Sequence, residues 1–400
     1  MKTKIIYGLM AILLGVFELQ AQWISIDNIP AEPTDGACSF FIGENLFVGG
    51  GAGSNSFYML DTETDTWEQK ANIPGNVARG WPIGFSLDGK GYIGGGDIGG
   101  FSLRSDFYSY DPVLDSWTQK ADFGGGVRDG AFSCTYDGKA YIIGGFDGNY
   151  ALGEVWEYEP DQDQWTQKNN YLGGQTIFPS GFIQNDRIYV GTGSPDGFSS
   201  KSDFYEYNPS TDTWIQKSDL PGVAKQGCIG FAVDNMGYMG GGQENYSNVL
   251  PDFYSYDVNT DTWQIEPNLG FPDDASVAWS TAAVYDNVIY LGTGADFNNN
   301  ALNFSDEFYK ITLNSVGLEE AHQKSFKIIS NPVNEVLQLS GEHLPAFDQI
   351  NIQNIEGRLI YSSNKVDEMI PVDHLSPGIY IIRLSNHTSG LQSEKTFIKK

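Results

Sequence analysis

The chain has 400 residues, of which 14% are aromatic, 18% are charged and 48 are glycine. Long helices need Ala, Leu, Glu and Lys, whereas many short strands joined by tight turns need aromatic and β-branched residues with glycine. The composition therefore indicates an all-β protein, and the length leaves room for two domains with a large buried core.

Residues 1–21 have the pattern of a secretory signal peptide. Lys2 and Lys4 give a basic start, an apolar run follows from Ile5 to Phe17, and the segment ends at Ala21 with a small-residue cleavage site. The apolar run is too short for a membrane anchor, and no later run is long enough to span a bilayer. We therefore expect an exported, soluble mature protein without a transmembrane segment.

The net charge of −28 is unevenly distributed along the chain. Residues 23–317 carry 40 acidic and 13 basic side chains, a net charge of −27, whereas residues 321–400 carry 8 of each. This asymmetry favours two domains. Because the first domain is strongly acidic, it repels nucleic acid, and we expect no nucleic-acid partner.

Three cysteines, Cys38, Cys134 and Cys228, fall in equivalent parts of the sequence repeats described next. An odd number of cysteines cannot complete a disulfide framework in an exported protein. We expect all three to be free thiols that serve as small, buried apolar side chains.

A repeat of about 49 residues is the strongest signal in the sequence. Its tryptophans are spaced 50, 48, 49 and 49 residues apart, at Trp67, Trp117, Trp165, Trp214 and Trp263. An aromatic strand precedes each tryptophan, a strand that runs into glycines precedes that one, and a tight turn such as Asp88-Gly89 comes earlier still. The pattern therefore predicts four strands in each unit, here called a to d from the central axis outward.

The order of turn, glycine strand, Tyr-x-Tyr strand and tryptophan resembles the kelch repeat of β-propellers, from residue 23 to about residue 313. Six glycine strands and six aromatic strands occur, but no tryptophan follows the last aromatic strand, Glu307–Lys310. Trp23 supplies the missing one, so we predict that Trp23–Ile26 pairs with the strand around Phe308–Thr312 and closes the ring. The predicted fold is a six-bladed kelch β-propeller over residues 22–314.

Proteins with kelch propellers include oxidases, sugar epimerases and pure binding modules, so the resemblance does not determine a function. Galactose oxidase, which shares the propeller, needs a copper centre with histidine ligands. The four histidines, His322, His343, His374 and His387, all lie outside the predicted propeller. We therefore expect no metal, no other cofactor and no copper oxidase activity.

Propeller topology places the loops that lead into strand a and the loops that join b to c on one face. The position thirteen residues before the b-strand aromatic of each blade carries Arg79, Arg128 and Lys225 in blades two, three and five, and the position two residues later carries Trp81 and Trp279 in blades two and six. The candidate ligand-binding residues on this face are Arg79, Trp81, Arg128, Lys225, Trp279, Asp97, Asp147, Tyr150, Glu244 and Tyr246. They suit an anionic or hydroxyl-rich ligand. Alternatively, Arg79 and Arg128 form structural pairs with neighbouring acids and loop carbonyls. No residue is assigned a catalytic role.

Seven short alternating runs follow a polar linker predicted at residues 315–325, and they predict a small Ig-like β-sandwich over residues 326–400. The motifs Ser330–Val333, Ile355–Arg358, Leu375–Tyr380 and Lys399–Lys400 are similar to the type A sorting domain of type IX secretion substrates. The resemblance implies passage through the periplasm, contact with the type IX machinery, and a final location on the outer-membrane surface or outside the cell.

Three functions remain compatible with the sequence. The leading hypothesis is a non-enzymatic binding or adhesion module for a glycan or a protein. The alternative is a sugar-acid epimerase that resembles the sialate mutarotases, in which Arg79, Arg128 and Lys225 would hold a carboxylate while Asp97 or Glu244 moves protons. The third is a purely structural surface protein.

Overall fold

A computed structural model of the chain describes residues 23–100, 102–245, 248–271, 278–298, 301–313, 327–328, 333, 335–340, 347–354, 358–367, 369–385 and 392–400. The chain divides into two compact units, Met1–Leu313 and Asn314–Lys400. The predicted signal peptide and linker lie outside the described residues. Within these ranges, no helix has the length and apolar character needed to cross a membrane.

The described part of the first unit contains six four-stranded antiparallel sheets, and each sheet is one blade. Two two-stranded ribbons, which the sequence did not predict, extend the b–c loops of blades five and six. A 3-10 helix, Pro267–Leu269, follows the last strand of blade five. The strands of this unit are β1 (Ile24–Ile26), β2 (Ala37–Ile42), β3 (Asn45–Gly50), β4 (Phe57–Asp61), β5 (Thr66–Gln69), β6 (Ile83–Leu87), β7 (Lys90–Gly94), β8 (Phe107–Asp111), β9 (Ser116–Lys120), β10 (Phe132–Tyr136), β11 (Lys139–Ile143), β12 (Val155–Glu159), β13 (Gln164–Lys168), β14 (Ser180–Gln184), β15 (Arg187–Gly191), β16 (Phe204–Asn208), β17 (Thr213–Gln216), β18 (Ile229–Val233), β19 (Met236–Gly240), β20 (Gln243–Glu244), β21 (Asn248–Val249), β22 (Phe253–Asp257), β23 (Thr262–Ile265), β24 (Thr281–Tyr285), β25 (Val288–Gly292), β26 (Ala295–Asn298), β27 (Ala301–Phe304) and β28 (Phe308–Thr312).

Blade two illustrates why these segments form hairpins. Ile83, Phe85 and Leu87 alternate with less buried residues along β6, so every second side chain enters the core between blades. Leu87 pairs with Lys90, which leaves a two-residue loop. Both residues of that loop, Asp88 and Gly89, adopt a positive φ, which Asp and Gly tolerate better than other residues do.

Each blade is fastened to the blade before it by the tryptophan of strand d. The indole Nε1 of Trp117 donates to the carbonyl of Ala71, 2.7 Å away. Asp115 accepts from the backbone N–H of Ala71 at 2.8 Å and from the hydroxyl of Tyr110 at 2.7 Å. Because these bonds join the outer edge of one blade to the chain leaving the previous blade, the repeating tryptophan holds the ring together.

The ring closes as the sequence predicted. β1 pairs antiparallel with β28, with Ile24 opposite Lys310 and Ile26 opposite Phe308, and so becomes strand d of blade six. Trp23 stacks on Phe271 with the ring centroids 6.3 Å apart. The N-terminal strand therefore completes the C-terminal blade, and neither edge is left unpaired.

The described part of the second unit contains two sheets, one of three strands and one of four. Buried residues from both sheets, including Leu337 and Ile370 from one and Ile352 and Ile382 from the other, share one apolar cluster. All seven strands overlap the runs predicted from the sequence, whereas the Ig-like topology stays a prediction. The strands are β29 (Lys327–Ile328), β30 (Val336–Ser340), β31 (Gln349–Asn354), β32 (Leu359–Ser363), β33 (Met369–Pro371), β34 (Gly378–Ser385) and β35 (Gln392–Lys399).

Candidate functional site

A closed ring of six backbone hydrogen bonds surrounds the propeller axis just before strand a of each blade. Each residue in the ring donates its N–H to the carbonyl of its counterpart in the preceding blade, over distances of 2.7–3.3 Å. The residues alternate between glycine and a large aromatic side chain: Gly36, Trp81, Gly130, Phe178, Gly227 and Trp279.

Three aromatic side chains from blades two, four and six meet on the axis. The ring centroids of Trp81 and Phe178 are 5.6 Å apart, those of Trp81 and Trp279 are 6.2 Å apart, and those of Phe178 and Trp279 are 6.1 Å apart. All three residues have a φ near +50°, a backbone conformation that bulky residues rarely adopt. The hydrogen-bonded ring holds them there, and we call these three side chains the aromatic floor.

The alternating glycines make room for the floor. A Cβ at Gly36 would lie 2.5 Å from Nε1 of Trp81, and a Cβ at Gly227 would lie 2.6 Å from Cδ1 of Trp279. Such approaches are well inside van der Waals contact, so each aromatic ring covers the glycine of the blade before it. The alternation of small and large residues is therefore a packing requirement.

A cavity of about 520 Å³ lies over the aromatic floor at the mouth of the propeller, within the size range of small-molecule sites. We call it the mouth cup. Four carboxylates line it, and no described lining residue is Lys, Arg or His. The lining residues are Asp35, Ala52, Trp81, Asp97, Asp129, Phe146, Ala151, Ile177, Phe178, Asp196, Gly197, Phe198, Trp279 and Phe304.

The four carboxylates differ in their electrostatic surroundings. Burial raises the pKa of Asp35 to about 6, and burial together with the negative charge of Asp97 raises the pKa of Asp129 to about 7. In contrast, backbone N–H groups of Ser199 and Phe198 hold the pKa of Asp196 at about 2. The cup therefore combines carboxyl groups that titrate near neutral pH with one that stays ionised.

The three basic residues predicted for the site do not face the mouth cup. The side chains of Arg79, Arg128 and Lys225 have no exposed surface, and each is paired with an acid at the start of strand c in its own blade. The partners are Asp106 at 2.6 Å, Glu154 at 2.7 Å and Asp252 at 2.8 Å. The geometry gives these cations the structural role that the sequence left open as an alternative.

Blade four keeps the same charge balance by another route. It has Thr176 where blades two, three and five have a cation, yet Asp203 still precedes strand c. Lys201, two residues before that acid, supplies the positive charge, with its Nζ 3.1 Å from Oδ2 of Asp203. In each of blades two to five, the acid before strand c therefore has a cationic partner in the same blade.

The remaining predicted residues lie in different places. Asp97 lines the mouth cup. Asp147 accepts hydrogen bonds from the backbone of Asn149 and Tyr150 within its own turn, outside the described lining, and Tyr150 is exposed. Glu244 accepts a hydrogen bond from Asn248 in the ribbon of blade five. Tyr246 lies outside the described residues.

Asp35 and Asp129, the most buried acids of the cup, were missed as candidates. They occupy the position between the predicted cation and the ring residue, as in Thr34-Asp35-Gly36. The candidate positions in each blade are two residues apart, and these two acids lie between them. Their signal in the sequence is that blades one and three carry Asp there, whereas the other blades carry Gly80, Ile177, Gln226 and Ala278.

The three cysteines are free thiols, as predicted. Cys38 and Cys134 pack against apolar clusters between blades, and burial raises the pKa of all three thiols above the usual range. The described residues contain no group of three or more His, Cys, Asp or Glu side chains that could hold a metal ion.

Two family models match parts of the chain. The Kelch motif matches residues 128–170, and the Secretion system C-terminal sorting domain matches residues 327–400. No curated protein matches the sequence. A solved structure described as "Structure of YjhT" is similar with a TM-score of 0.60 and 16% identity, over 71% of this chain and 96% of that chain, which supports the fold alone. The chain is a kelch-repeat β-propeller protein with a C-terminal sorting domain of the type IX secretion system.

Proposed function

We propose that this secreted propeller protein is a binding module that holds an extracellular carbohydrate in the mouth cup. The observation that carries the proposal is the combination of an aromatic floor with carboxylates in one cavity of about 520 Å³. A cavity of this size accommodates one or two sugar rings and has the apolar surface and convergent polar groups that ligand sites require.

The aromatic floor and the carboxylates match the two chemical surfaces of a sugar. The C–H face of a pyranose packs on the electron-rich face of an aromatic ring, and Trp81 and Phe178 are among the aromatic residues that line this cavity. Sugar hydroxyls donate hydrogen bonds, and carboxylates are strong acceptors.

A second candidate function is proton transfer on a sugar bound in the same cup. Asp129, with a pKa of about 7, is suited to give and take protons at neutral pH, and Asp97 lies close enough to influence it. A sugar acid is a poor substrate, since Arg79, Arg128 and Lys225 are buried in ion pairs and unable to hold its carboxylate. This candidate is therefore epimerisation or anomerisation of a sugar without a carboxylate.

The test is binding of the purified full-length protein to a glycan array, with NMR of the bound sugars to detect anomerisation. Phe198, which is 74% exposed and lines the cup, provides the site variant Phe198→Ala. Tyr150, 67% exposed and outside the described lining, provides the matched control Tyr150→Ala. We expect Phe198→Ala to weaken glycan binding by about tenfold and the control to keep it. Absence of glycan binding, or equal effects of the two variants, contradicts the proposal.

A further inference from the structure

The mouth cup is acidic and contains no compensating cation in its described lining. We propose that its ligand carries a positively charged amino group on the sugar, so that the preferred class is an amino sugar with a free amine. This inference rests on the proposed carbohydrate-binding function and narrows it.

Two carboxylates of the cup are buried, and one oxygen of each is unpaired. Asp35 is 2% exposed and Asp129 is 5% exposed, and Oδ1 of each has no hydrogen-bond partner among the described residues. Burying an unpaired carboxylate is costly, so buried charges in proteins are normally paired or hydrogen-bonded. Both side chains line the cavity, so a cationic group of a ligand in the cup would lie beside these carboxyl groups.

Backbone hydrogen bonds hold these two acids in position. The carbonyl of Asp35 accepts from the N–H of Ala52 at 3.0 Å, and Asp129 exchanges two backbone hydrogen bonds with Phe146 at 2.9 and 3.1 Å. The loops from strand b thus prevent the acids from turning out to water through a backbone shift. The two carboxyl groups are therefore fixed in the wall of the cup.

No basic residue stands among the described lining residues of the cup, and the charge of the nearby Arg128 is directed elsewhere. Arg128, the residue before Asp129, directs Nη2 to Glu154 at 2.7 Å and Nη1 to the carbonyl of Gly144 at 2.8 Å. Its charge lowers the pKa of Asp129 less than burial and Asp97 raise it. The uncompensated charge of the cup therefore attracts a cation, and the net charge of −27 over residues 23–317 adds to that attraction.

The aromatic floor also favours an ammonium group. A cation within about 6 Å of the face of a Trp ring is attracted by the ring quadrupole, and the attraction strengthens when water is excluded. Trp81 and Trp279 contribute two such rings to the lining of the same cavity as the acids. One site thus offers cation–π contact and carboxylate acceptors together.

An amino sugar matches the cup better than a lysine side chain of a protein does. Lysine has one ammonium on a narrow apolar stem, whereas the cup has a volume of about 520 Å³ and a further acceptor in Asp97. Oδ1 of Asp97 accepts from the N–H of Gly99 at 2.8 Å, and carboxylate oxygens accept more than one bond, so a hydroxyl can bind there as well. A ring with both an amine and hydroxyls uses all of these groups.

The decisive experiment compares two oligosaccharides that differ in whether their amino groups are free or acetylated. Calorimetry on the full-length protein at neutral pH would measure binding of a β-1,4-linked glucosamine oligomer and of the N-acetylglucosamine oligomer of the same length. We expect the amine form to bind at least about tenfold tighter, with an affinity that falls as salt is added. Equal or tighter binding of the acetylated form overturns the amino-group inference while leaving carbohydrate binding intact. Failure of both oligomers also overturns it, and the glycan array then decides whether any sugar binds.

Site variants test whether the acids are responsible. Asp35→Asn and Asp129→Asn remove the charge at nearly constant volume, and Asp97→Asn does so at a less buried position. We expect each to reduce the preference for the amine form at least about fivefold, while Asp147→Asn, in a b–c loop outside the described lining, leaves it unchanged. Unchanged preference in all three cup variants overturns the inference. Displacement of the glucosamine oligomer by a lysine-rich peptide at equal amine concentration overturns it in favour of a protein ligand.

Discussion

Asp106 accepts two hydrogen bonds from the guanidinium of Arg79, to Oδ1 at 2.7 Å and to Oδ2 at 2.6 Å. The same guanidinium donates to the carbonyls of Gly95 and Pro74. Burial alone would raise the pKa of Asp106, but its bonds to Arg79 lower that pKa below the ordinary value. Arg79 therefore ties together the segment that leads from blade one into blade two, the end of strand b and the start of strand c.

We predict that Arg79→Ala destabilises the protein without removing the ligand site. Breaking a buried ion pair leaves an uncompensated charge and unpaired carbonyls, so we expect a loss of about 3 kcal/mol in the free energy of unfolding. Urea unfolding of the purified protein measures it. Lys90 is exposed, so Lys90→Ala is the control and should change the free energy of unfolding by less than about 0.5 kcal/mol. A lower affinity of folded Arg79→Ala with unchanged stability would return this residue to the ligand site.

Blade four allows the charge pairing to be rebuilt. Lys201→Leu removes the partner of Asp203 and introduces the residue found at this position in blades three and five, Leu152 and Leu250. We expect a loss of about 1–3 kcal/mol in the free energy of unfolding. Adding Thr176→Lys reproduces the arrangement of Lys225 with Asp252, and we expect it to recover at least about half of that loss. Thermal unfolding of the single and double variants shows whether it does.

The sequence predicted the fold in detail because its signals repeat. The tryptophan and aspartate positions represented by Trp117 and Asp115 recur from blade to blade, because the same bonds connect each blade to the preceding one. The site could not be predicted in the same way. An aspartate at the position of Asp35 and Asp129 occurs in only two of the six blades. The importance of these two residues depends on which side chains face one cavity across the axis. For Arg79, the sequence showed the charge but not the partner acid, 27 residues later, that occupies it.

A comparison of Gly36 with Gly43 distinguishes the cost of a steric clash from the cost of backbone strain. Gly36 and Gly43 have nearly equal φ values of +59° and +62°, but a Cβ at Gly36 would overlap Trp81, whereas a Cβ at Gly43 would meet nothing within 4 Å. We predict that Gly43→Ala costs about 1 kcal/mol through backbone strain alone. Gly36→Ala should cost clearly more and should change the tryptophan fluorescence, because the Trp81 ring must move. Equal losses of stability for the two variants, with unchanged fluorescence, would show that the aromatic floor accommodates a Cβ at Gly36 without a steric cost.

The N-terminal strand offers a test of ring closure. Trp23 packs against Phe271 and donates from Nε1 to the carbonyl of Leu269, whereas its neighbour Ile24 is 56% exposed. We predict that Trp23→Ala lowers the free energy of unfolding by about 2–3 kcal/mol, less than a fully buried aromatic would. Ile24→Ala should change it by less than about 0.5 kcal/mol. Denaturant titration distinguishes them, and similar small effects would mean that blade six does not depend on this strand.

The buried carboxyl of Asp129 should make stability depend on pH in a defined direction. Its pKa is about 7 in the folded protein and 3.8 ordinarily, because burial and the charge of Asp97 disfavour ionisation more than Arg128 favours it. Between these two values the folded state holds more protons than the unfolded state, so this group stabilises the fold at low pH and loses that contribution as pH rises through about 7.

Asp129→Asn cannot ionise and should lack this dependence. We therefore predict that the variant gains stability relative to the wild type between about pH 4 and about pH 8, by at least about 1 kcal/mol, since one pKa unit corresponds to about 1.4 kcal/mol. Asp35, with a pKa of about 6, titrates in both proteins and cancels in the comparison. Thermal unfolding at several pH values gives the difference. A constant difference across the range would mean that Asp129 is solvated and titrates normally, and a difference of opposite sign would mean that its charge is stabilised in the fold by a partner such as Arg128.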